Sequence, residues 1–172
     1  HISGGQINCA VTFGLVLQGA ESVCQGLLNF VAQMLGSILG ASVLNIMYPD
    51  SQDLTGALGS NTVGHHWKQL GALIGEFMGT FLLMFVVLET AVNDASKANS
   101  SLAPLAIGLS VFLAHSVLIP IDGCSINPTR SFGPALVHSF SGGSGAAFKD
   151  MWVFWVGPLL GAAAATAVYS VM

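Results

Sequence analysis

Long apolar stretches separated by short polar ones set the pattern of this chain. Residues 22–49, 98–121 and 151–172 contain no Asp, Glu, Lys or Arg. Each is long enough to cross the hydrocarbon core of a bilayer, which takes about 20 helical residues. Residues 69–91 form a fourth apolar stretch, which carries Glu76 in its first half. The pattern therefore predicts four membrane-spanning helices.

Two other apolar segments are too short to cross a bilayer. A helix over residues 8–18 rises about 1.5 Å per residue and reaches only about half of the hydrocarbon thickness. Residues 127–139 have a similar length. We predict that both are half-helices and that each is followed by a spanning helix. The polar, glycine-rich residues 48–66 indicate an exposed loop, and residues 93–101 indicate a short polar linker.

One short motif occurs twice in the chain, 119 residues apart. Its shared frame, Ile-Asn-x-x-x-(Thr/Ser)-Phe-Gly, aligns Asn8 with Asn127 and Gly14 with Gly133. Membrane transporters and channels built from two related halves place polar groups at the bilayer midplane, where the halves meet. We therefore predict an inverted repeat in which the two half-helices, each starting at its asparagine, meet tip to tip.

The two asparagines indicate what those polar groups do. A half-helix that starts at the bilayer centre exposes N–H donors and a partial positive charge there. An asparagine caps such a helix by accepting from its first turn, which fixes the carboxamide and leaves its NH₂ group free to donate into a lumen. Asn8 and Asn127, facing each other, would hold a water oxygen from both sides and interrupt a proton wire. Either asparagine alone would indicate only a helix cap, but the matching frames favour a pore.

The composition supports a membrane protein and argues against other classes. Only 7% of the residues are charged, 53% are hydrophobic, and the mean hydropathy is +0.74. A net charge of −4 gives no basic surface for nucleic acid. The three cysteines provide neither a disulfide framework nor a metal-binding pair, and no nucleophile–base set indicates an enzyme. We expect no cofactor and no metal.

Both copies of the motif, within residues 1–12 and 126–135, resemble the two Asn-Pro-Ala boxes of the aquaporins, the major intrinsic proteins. The first box reads Asn-Cys-Ala here and the second reads Asn-Pro-Thr. Residues 102–108 and 154–158 are similar to the starts of the fifth and last spans of that family. The resemblance, which is to the water-selective type, implies an all-α membrane bundle of six spans and two half-helices. It also implies a homotetramer with one pore per subunit.

The resemblance further implies an outer selectivity filter. It places His115, together with Cys124 and Arg130, in the wall of the pore. A histidine ring and a guanidinium group would narrow the lumen to about one water molecule, and the fixed charge of Arg130 would repel cations. Glu76 would accept from loop N–H groups behind the pore as structural support. We expect no second carboxyl group near Glu76, which argues against a proton relay.

The two halves of the chain are unequal in length. Two spans precede the second motif copy, whereas seven residues precede Asn8. If the halves are equivalent, about 50 residues and two spans belong before the first copy, and we expect an N-terminally truncated fragment. We interpret residues 1–172 as one domain. Residues 1–66 are the remainder of the first repeat and its connecting loop, and residues 67–172 are the second repeat.

The sequence thus predicts a passive water channel that is selective against ions and protons. An aquaporin-like channel for small neutral solutes (glycerol, urea, hydrogen peroxide or ammonia) is the closest alternative, and a non-conducting membrane scaffold is another. The expected partners are water, membrane lipid and further copies of the chain, without nucleic acid. We expect a multi-pass membrane protein in the plasma membrane rather than in an internal membrane.

Overall fold

The computed structural model describes residues 4–48, 50–55 and 57–172. Every regular element in these ranges is a helix. Residues 1–3, at the start of the first motif copy, and residues 49 and 56 of the 48–66 loop lie outside the described part. The α-helices are α1 (Cys9–Gln18), α2 (Val23–Met47), α3 (Gln69–Val87), α4 (Ala103–Asp122), α5 (Pro128–Phe140) and α6 (Val153–Tyr169). Short 3₁₀ helices occupy Asp50–Gln52, Asp94–Leu102 and Gly145–Phe148, and a π-helical turn, Leu88–Val92, extends α3.

The helices follow the predicted pattern of spans and half-helices. Within the described ranges, four segments built on α2, α3, α4 and α6 are long and apolar enough to cross a membrane. α1 has 10 residues and α5 has 13, which confirms that both are too short to span. The polar linker over residues 93–101 differs from the prediction because most of it forms a 3₁₀ helix. Asn93 caps that helix by accepting from the Ala95 N–H at 2.9 Å.

Both half-helices begin with the same local device. Asn8 and Asn127 have extended backbones, and each side chain accepts from N–H groups of the following turn. Pro128 occupies the first position of α5, where a missing N–H costs little. α1 ends at Gly19, whose φ of 78° lies in the left-handed region that glycine enters without a Cβ clash. Signals local in sequence therefore fix the start of each half-helix and the end of α1.

The spanning helices pack against one another and against the half-helices. α3 packs along α6, α2 packs along α5, and α1 contacts both α6 and α2. The main core is built by α1, α3, α4 and α6, with Ala10, Met84, Ala114 and Ala162 among its buried residues. Many large apolar side chains on α2 and α4 are exposed. Helices that are apolar on their outward faces as well are typical of membrane spans.

Two glycines of α6 permit its close approach to α3. A Cβ atom at Gly157 would lie 2.8 Å from the Cβ atom of Glu76, and one at Gly161 would lie 2.3 Å from the Phe77 carbonyl oxygen. Small residues four positions apart let the backbones of membrane helices approach in this way. This packing holds Glu76 beside the loop that leads into α5.

We expect Gly161→Ala to destabilise the protein by about 1–3 kcal/mol, because the added methyl group forces α3 and α6 apart. Gly108→Ala is the matched control, since nothing lies within 4 Å of a Cβ atom built at that position of α4. Thermal unfolding of the complete gene product in detergent measures the difference. Equal unfolding midpoints for the two variants would contradict the close packing of α3 and α6.

Candidate functional site

The two asparagines of the repeated motif hold its two copies together. Asn8 Nδ2 donates to the carbonyl oxygen of Ile126 at 2.9 Å. Asn127 Nδ2 donates to the carbonyl oxygen of Ile7, also at 2.9 Å. Each carboxamide therefore caps its own half-helix through its oxygen and binds the opposite motif through its nitrogen. The starts of α1 and α5 are joined by two reciprocal hydrogen bonds.

This cross-link corrects one expectation drawn from the sequence. The cap argument predicts that the NH₂ groups of Asn8 and Asn127 are wholly free to donate into a lumen. Instead, each group uses one of its two hydrogens for the opposite motif, and the second hydrogen stays available. Both asparagines line the same cavity. Because α1 and α5 start next to each other there, the positive ends of their dipoles act on the same region.

The isoleucine before each asparagine has a left-handed backbone. The φ angle is 43° at Ile7 and 46° at Ile126, a region that β-branched residues avoid for steric reasons. Such strain costs on the order of 1–3 kcal/mol and persists only where the surrounding contacts impose it. The main-chain carbonyl groups of the two isoleucines accept the two hydrogen bonds that join the motifs. The strained residues are thus the ones that join the motifs.

Glu76 of α3 fixes the second of these strained turns. Its side chain is fully buried. Oε1 accepts from the Ser125 N–H at 2.7 Å, and Oε2 accepts from the Ile126 N–H at 2.5 Å. A buried backbone N–H needs such a partner, and one carboxyl group here serves two successive N–H groups. These are the loop contacts that the aquaporin resemblance implies for this glutamate.

A second carboxyl group lies near Glu76, contrary to the sequence expectation. Asp122, at the end of α4, is close enough to Glu76 for the two groups to affect each other electrostatically. Its Oδ1 accepts from the Cys124 N–H at 2.9 Å. The two acids belong to different helices, so only the folded arrangement shows that they are neighbours. Together they hold the loop before Asn127 from two sides.

Cys124 belongs to this loop, and its side chain points into the core rather than into the wall of the cavity. Its side chain is fully buried and belongs to the core cluster that includes Ala114 and Leu118 of α4. It is absent from the residues that line the cavity beside the asparagines. The placement of the thiol therefore differs from the lining position that the resemblance implies.

The 48–66 loop folds back over the site. Arg130 Nη1 donates to the carbonyl oxygen of Gly59 at 2.7 Å. Leu58 and Asn61 of the same loop are buried. The prediction of an exposed loop is wrong for this part of the loop. The guanidinium group of Arg130 carries only donors and needs an acceptor, and the loop supplies one. Sequence reasoning missed these loop residues.

A cavity of about 760 Å³ lies beside the crossed asparagines. His115 and Arg130 line it together with Asn8 and Asn127. His115 Nδ1 lies 2.9 Å from the carbonyl oxygen of Val111. Since a carbonyl oxygen only accepts, Nδ1 carries a hydrogen, and in the neutral imidazole Nε2 has the lone pair. Much of the remaining lining is apolar. Its apolar lining residues include Val11, Leu15, Leu83, Val87, Ile107 and Val111.

α2 supports both half-helices through a stripe of polar side chains. Gln33 Nε2 donates to Thr12 Oγ1 at 2.8 Å, and Gln33 Oε1 accepts from Thr129 Oγ1 at 3.4 Å. Ser37 Oγ donates to the Thr129 carbonyl oxygen at 2.6 Å. Sequence reasoning missed this stripe, although residues four positions apart share one helix face and their spacing in a charge-free stretch is a signal that could have predicted it. It consists of Gln25, Asn29, Gln33 and Ser37.

Comparison with known proteins supports the family that the motif resembles, and the matches cover nearly the whole chain. A profile of the family described as Major intrinsic protein matches residues 1–169. The chain is 42% identical to Aquaporin PIP1-3 of Arabidopsis thaliana over 167 residues, which cover 95% of this chain and 57% of that protein. It is 43% identical to Aquaporin PIP1.1 of Vicia faba over 174 residues, which cover 99% of this chain and 59% of that protein. The chain therefore spans less than two thirds of the length of these relatives.

The fold has a counterpart among solved structures. The X-ray structure of the aquaglyceroporin from Plasmodium falciparum superimposes with a TM-score of 0.82 at 22% identity, covering 96% of this chain and 71% of that chain. At this identity the similarity concerns the fold alone, and it confirms the predicted aquaporin-like helical bundle. The matched family consists of channels and not of enzymes. With the crossed asparagines, the repeat and the matches in agreement, the chain belongs to the major intrinsic protein family.

Proposed function

We propose that the protein is a passive water channel that excludes ions and protons. The observation that carries the proposal is the reciprocal hydrogen bonding of Asn8 and Asn127 beside a cavity that both line. It supplies two fixed donors at one place in the cavity. Fixed donors of this kind select and orient small polar permeants by their hydrogen bonds. The aquaporin names of the two plant relatives support the same function.

Water passes the asparagines with its oxygen toward their amide hydrogens. A water molecule that accepts from both Asn8 and Asn127 has no lone pair left for a neighbouring water, and its own hydrogens point away along the pore. The apolar side chains of α3 and α4 that line the cavity offer it no other partner. A proton wire is therefore interrupted at this point. The dipoles of α1 and α5 add a barrier to cations.

We assign the selectivity filter to His115 and Arg130, with Cys124 in the layer behind them. Arg130 donates, and it stays charged because a guanidinium group does not lose its proton in proteins. The bond to the Gly59 carbonyl oxygen fixes its position. In the neutral imidazole His115 Nε2 accepts, so the two side chains then offer a donor and an acceptor to one small molecule. A solute with apolar edges, such as glycerol, would replace fewer of its hydrogen bonds there.

The chain is an integral membrane protein with several spans. We further propose that it forms a homotetramer in the plasma membrane. Each subunit would have its own pore, because both asparagines and both filter residues come from one chain. The exposed apolar faces of α2 and α4 would contact lipid and neighbouring copies. Neither a cofactor nor a metal takes part in this mechanism.

The first test is osmotic shrinkage of lipid vesicles that contain the complete gene product. We expect these vesicles to shrink several times faster than empty vesicles after a shock with an impermeant solute, without taking up glycerol. Stopped-flow light scattering measures both processes. Equal shrinkage rates would refute the channel. Rapid glycerol entry would instead assign the protein to the small-solute alternative.

The second test is Arg130→Val. We expect this variant to admit glycerol and small cations, because it removes the donors and the fixed charge and widens the filter. Glycerol uptake and ion currents in reconstituted bilayers measure the change. Lys149→Val is the matched control, since Lys149 is exposed and does not line the cavity. Unchanged selectivity in Arg130→Val, or an equal change in the control, would contradict the filter assignment.

A further inference from the structure

Asn61 is a buried polar residue of the 48–66 loop, with 1% of its surface exposed. Its Nδ2 donates to the carbonyl oxygen of Asp122 at 3.2 Å, and its Oδ1 accepts from Ser131 Oγ at 2.8 Å. Asp122 ends α4, and Ser131 lies in the first turn of α5. The side chain of Asn61 therefore bridges the two ends of the turn that contains Asn127. It does not line the cavity itself.

A series of hydrogen bonds connects Asn127 with Asn61, and each donor in the series points toward Asn61. The backbone N–H of Asn127 donates to Ser125 Oγ at 3.2 Å, and Ser125 Oγ lies 2.6 Å from Ser131 Oγ. The amide oxygen of Asn61 only accepts, so the single hydroxyl hydrogen of Ser131 points to it. The contact between the serines must then use the hydrogen of Ser125. Asn127 therefore donates to Ser125, Ser125 to Ser131, and Ser131 to Asn61.

Without the Asn61 amide, the hydroxyl hydrogens of Ser125 and Ser131 would no longer be fixed in this order of donors and acceptors. The hydroxyl group of Ser125 already has a second acceptor in the Asn127 carbonyl oxygen at 3.0 Å. Without Asn61, Ser131 would be able to donate to Ser125, and the hydrogen of Ser125 would then go to that carbonyl oxygen alone. The turn would have two arrangements of hydrogen bonds instead of one. Because networks of this kind polarise and order their members, the backbone at Asn127 would be less well fixed. The carboxamide that crosses to Ile7 starts from that backbone.

We propose that Asn61 is a positioning residue for the water-orienting carboxamide of Asn127, and that it acts through Ser131 and Ser125. This inference rests on the proposed water-channel function. The same loop also supplies the Gly59 carbonyl oxygen to Arg130. One connecting loop thus orders both the filter and the central pair of asparagines.

A purely structural role for Asn61 has different consequences. Asn61 would then only tie the loop to α4 through the Asp122 carbonyl oxygen. Its removal would lower the unfolding temperature, but the folded protein would conduct water as before. The exchange rate of the Asn127 backbone N–H with solvent would also stay the same in the folded state.

Asn61→Ala in the complete gene product tests the proposal. We expect the water permeability per folded protein to fall by about threefold to fivefold, as the loss of one buried hydrogen bond suggests. Hydrogen exchange of the Asn127 backbone N–H should become faster by a similar factor. Asn45→Ala is the matched control, because the Asn45 amide donates to Ser141 Oγ at an exposed position. The control should behave as the wild type in both measurements.

Ser131→Ala and the double variant Asn61→Ala/Ser131→Ala distinguish a positioning role of Asn61 from a purely structural one. Ser131→Ala breaks the same chain at its other member, so we expect a similar fall in permeability and no further fall in the double variant. Additive losses, or a lower unfolding temperature with unchanged permeability, would overturn the proposal. If Asn61→Ala does not fold, the Asn127 exchange rate in Ser131→Ala decides the matter alone.

The two proposals fail in distinguishable ways. A wild-type protein that conducts no water refutes the channel function, whereas hydrogen exchange still reports the link between Asn61 and Asn127. Faster exchange in Asn61→Ala supports the link, and unchanged exchange overturns it. A wild-type protein that conducts, with an Asn61→Ala variant that conducts equally well, overturns the positioning role only.

Discussion

Two hydrogen bonds between carboxamides and main-chain carbonyl groups join the halves of this protein. They connect residues 118 and 120 positions apart, and each is 2.9 Å long. A helix cap ordinarily serves its own helix, but here Asn8 and Asn127 each serve two. Neither half-helix can rotate without breaking a bond to the other. The left-handed isoleucines, the Glu76 carboxyl group and the polar stripe of α2 all preserve this one contact.

The sequence predicted the features that are encoded locally or by repetition. Apolar stretches with few or no charges located the four spans, because a bilayer core sets a minimum length for a crossing helix. The short segments after Asn8 and Asn127 could be assigned as half-helices from their length and their caps. The matching frames of the motif predicted that the two asparagines meet. The geometry of the cap even predicted which carboxamide atom faces the helix.

The features that escaped sequence reasoning are contacts between distant segments. A polar, glycine-rich loop resembles an exposed one, so nothing local marks Gly59 and Asn61 as partners of α5. Nothing local in the sequence marks Asp122 as a neighbour of Glu76, because the two residues belong to different helices. The position of Cys124 was inferred from a register in the family, whereas its burial follows from how α4 packs behind the loop. Only the folded arrangement decides such partners.

The most direct test of the account is a structure of the complete gene product in a lipid environment, at a resolution that shows ordered water. The account predicts that Nδ2 of Asn8 and Nδ2 of Asn127 each lie within hydrogen-bonding distance of the opposite isoleucine carbonyl oxygen. It also predicts one water molecule that accepts from both amides. Carboxamides turned toward lipid, or a central gap with no water near either of them, would contradict the account.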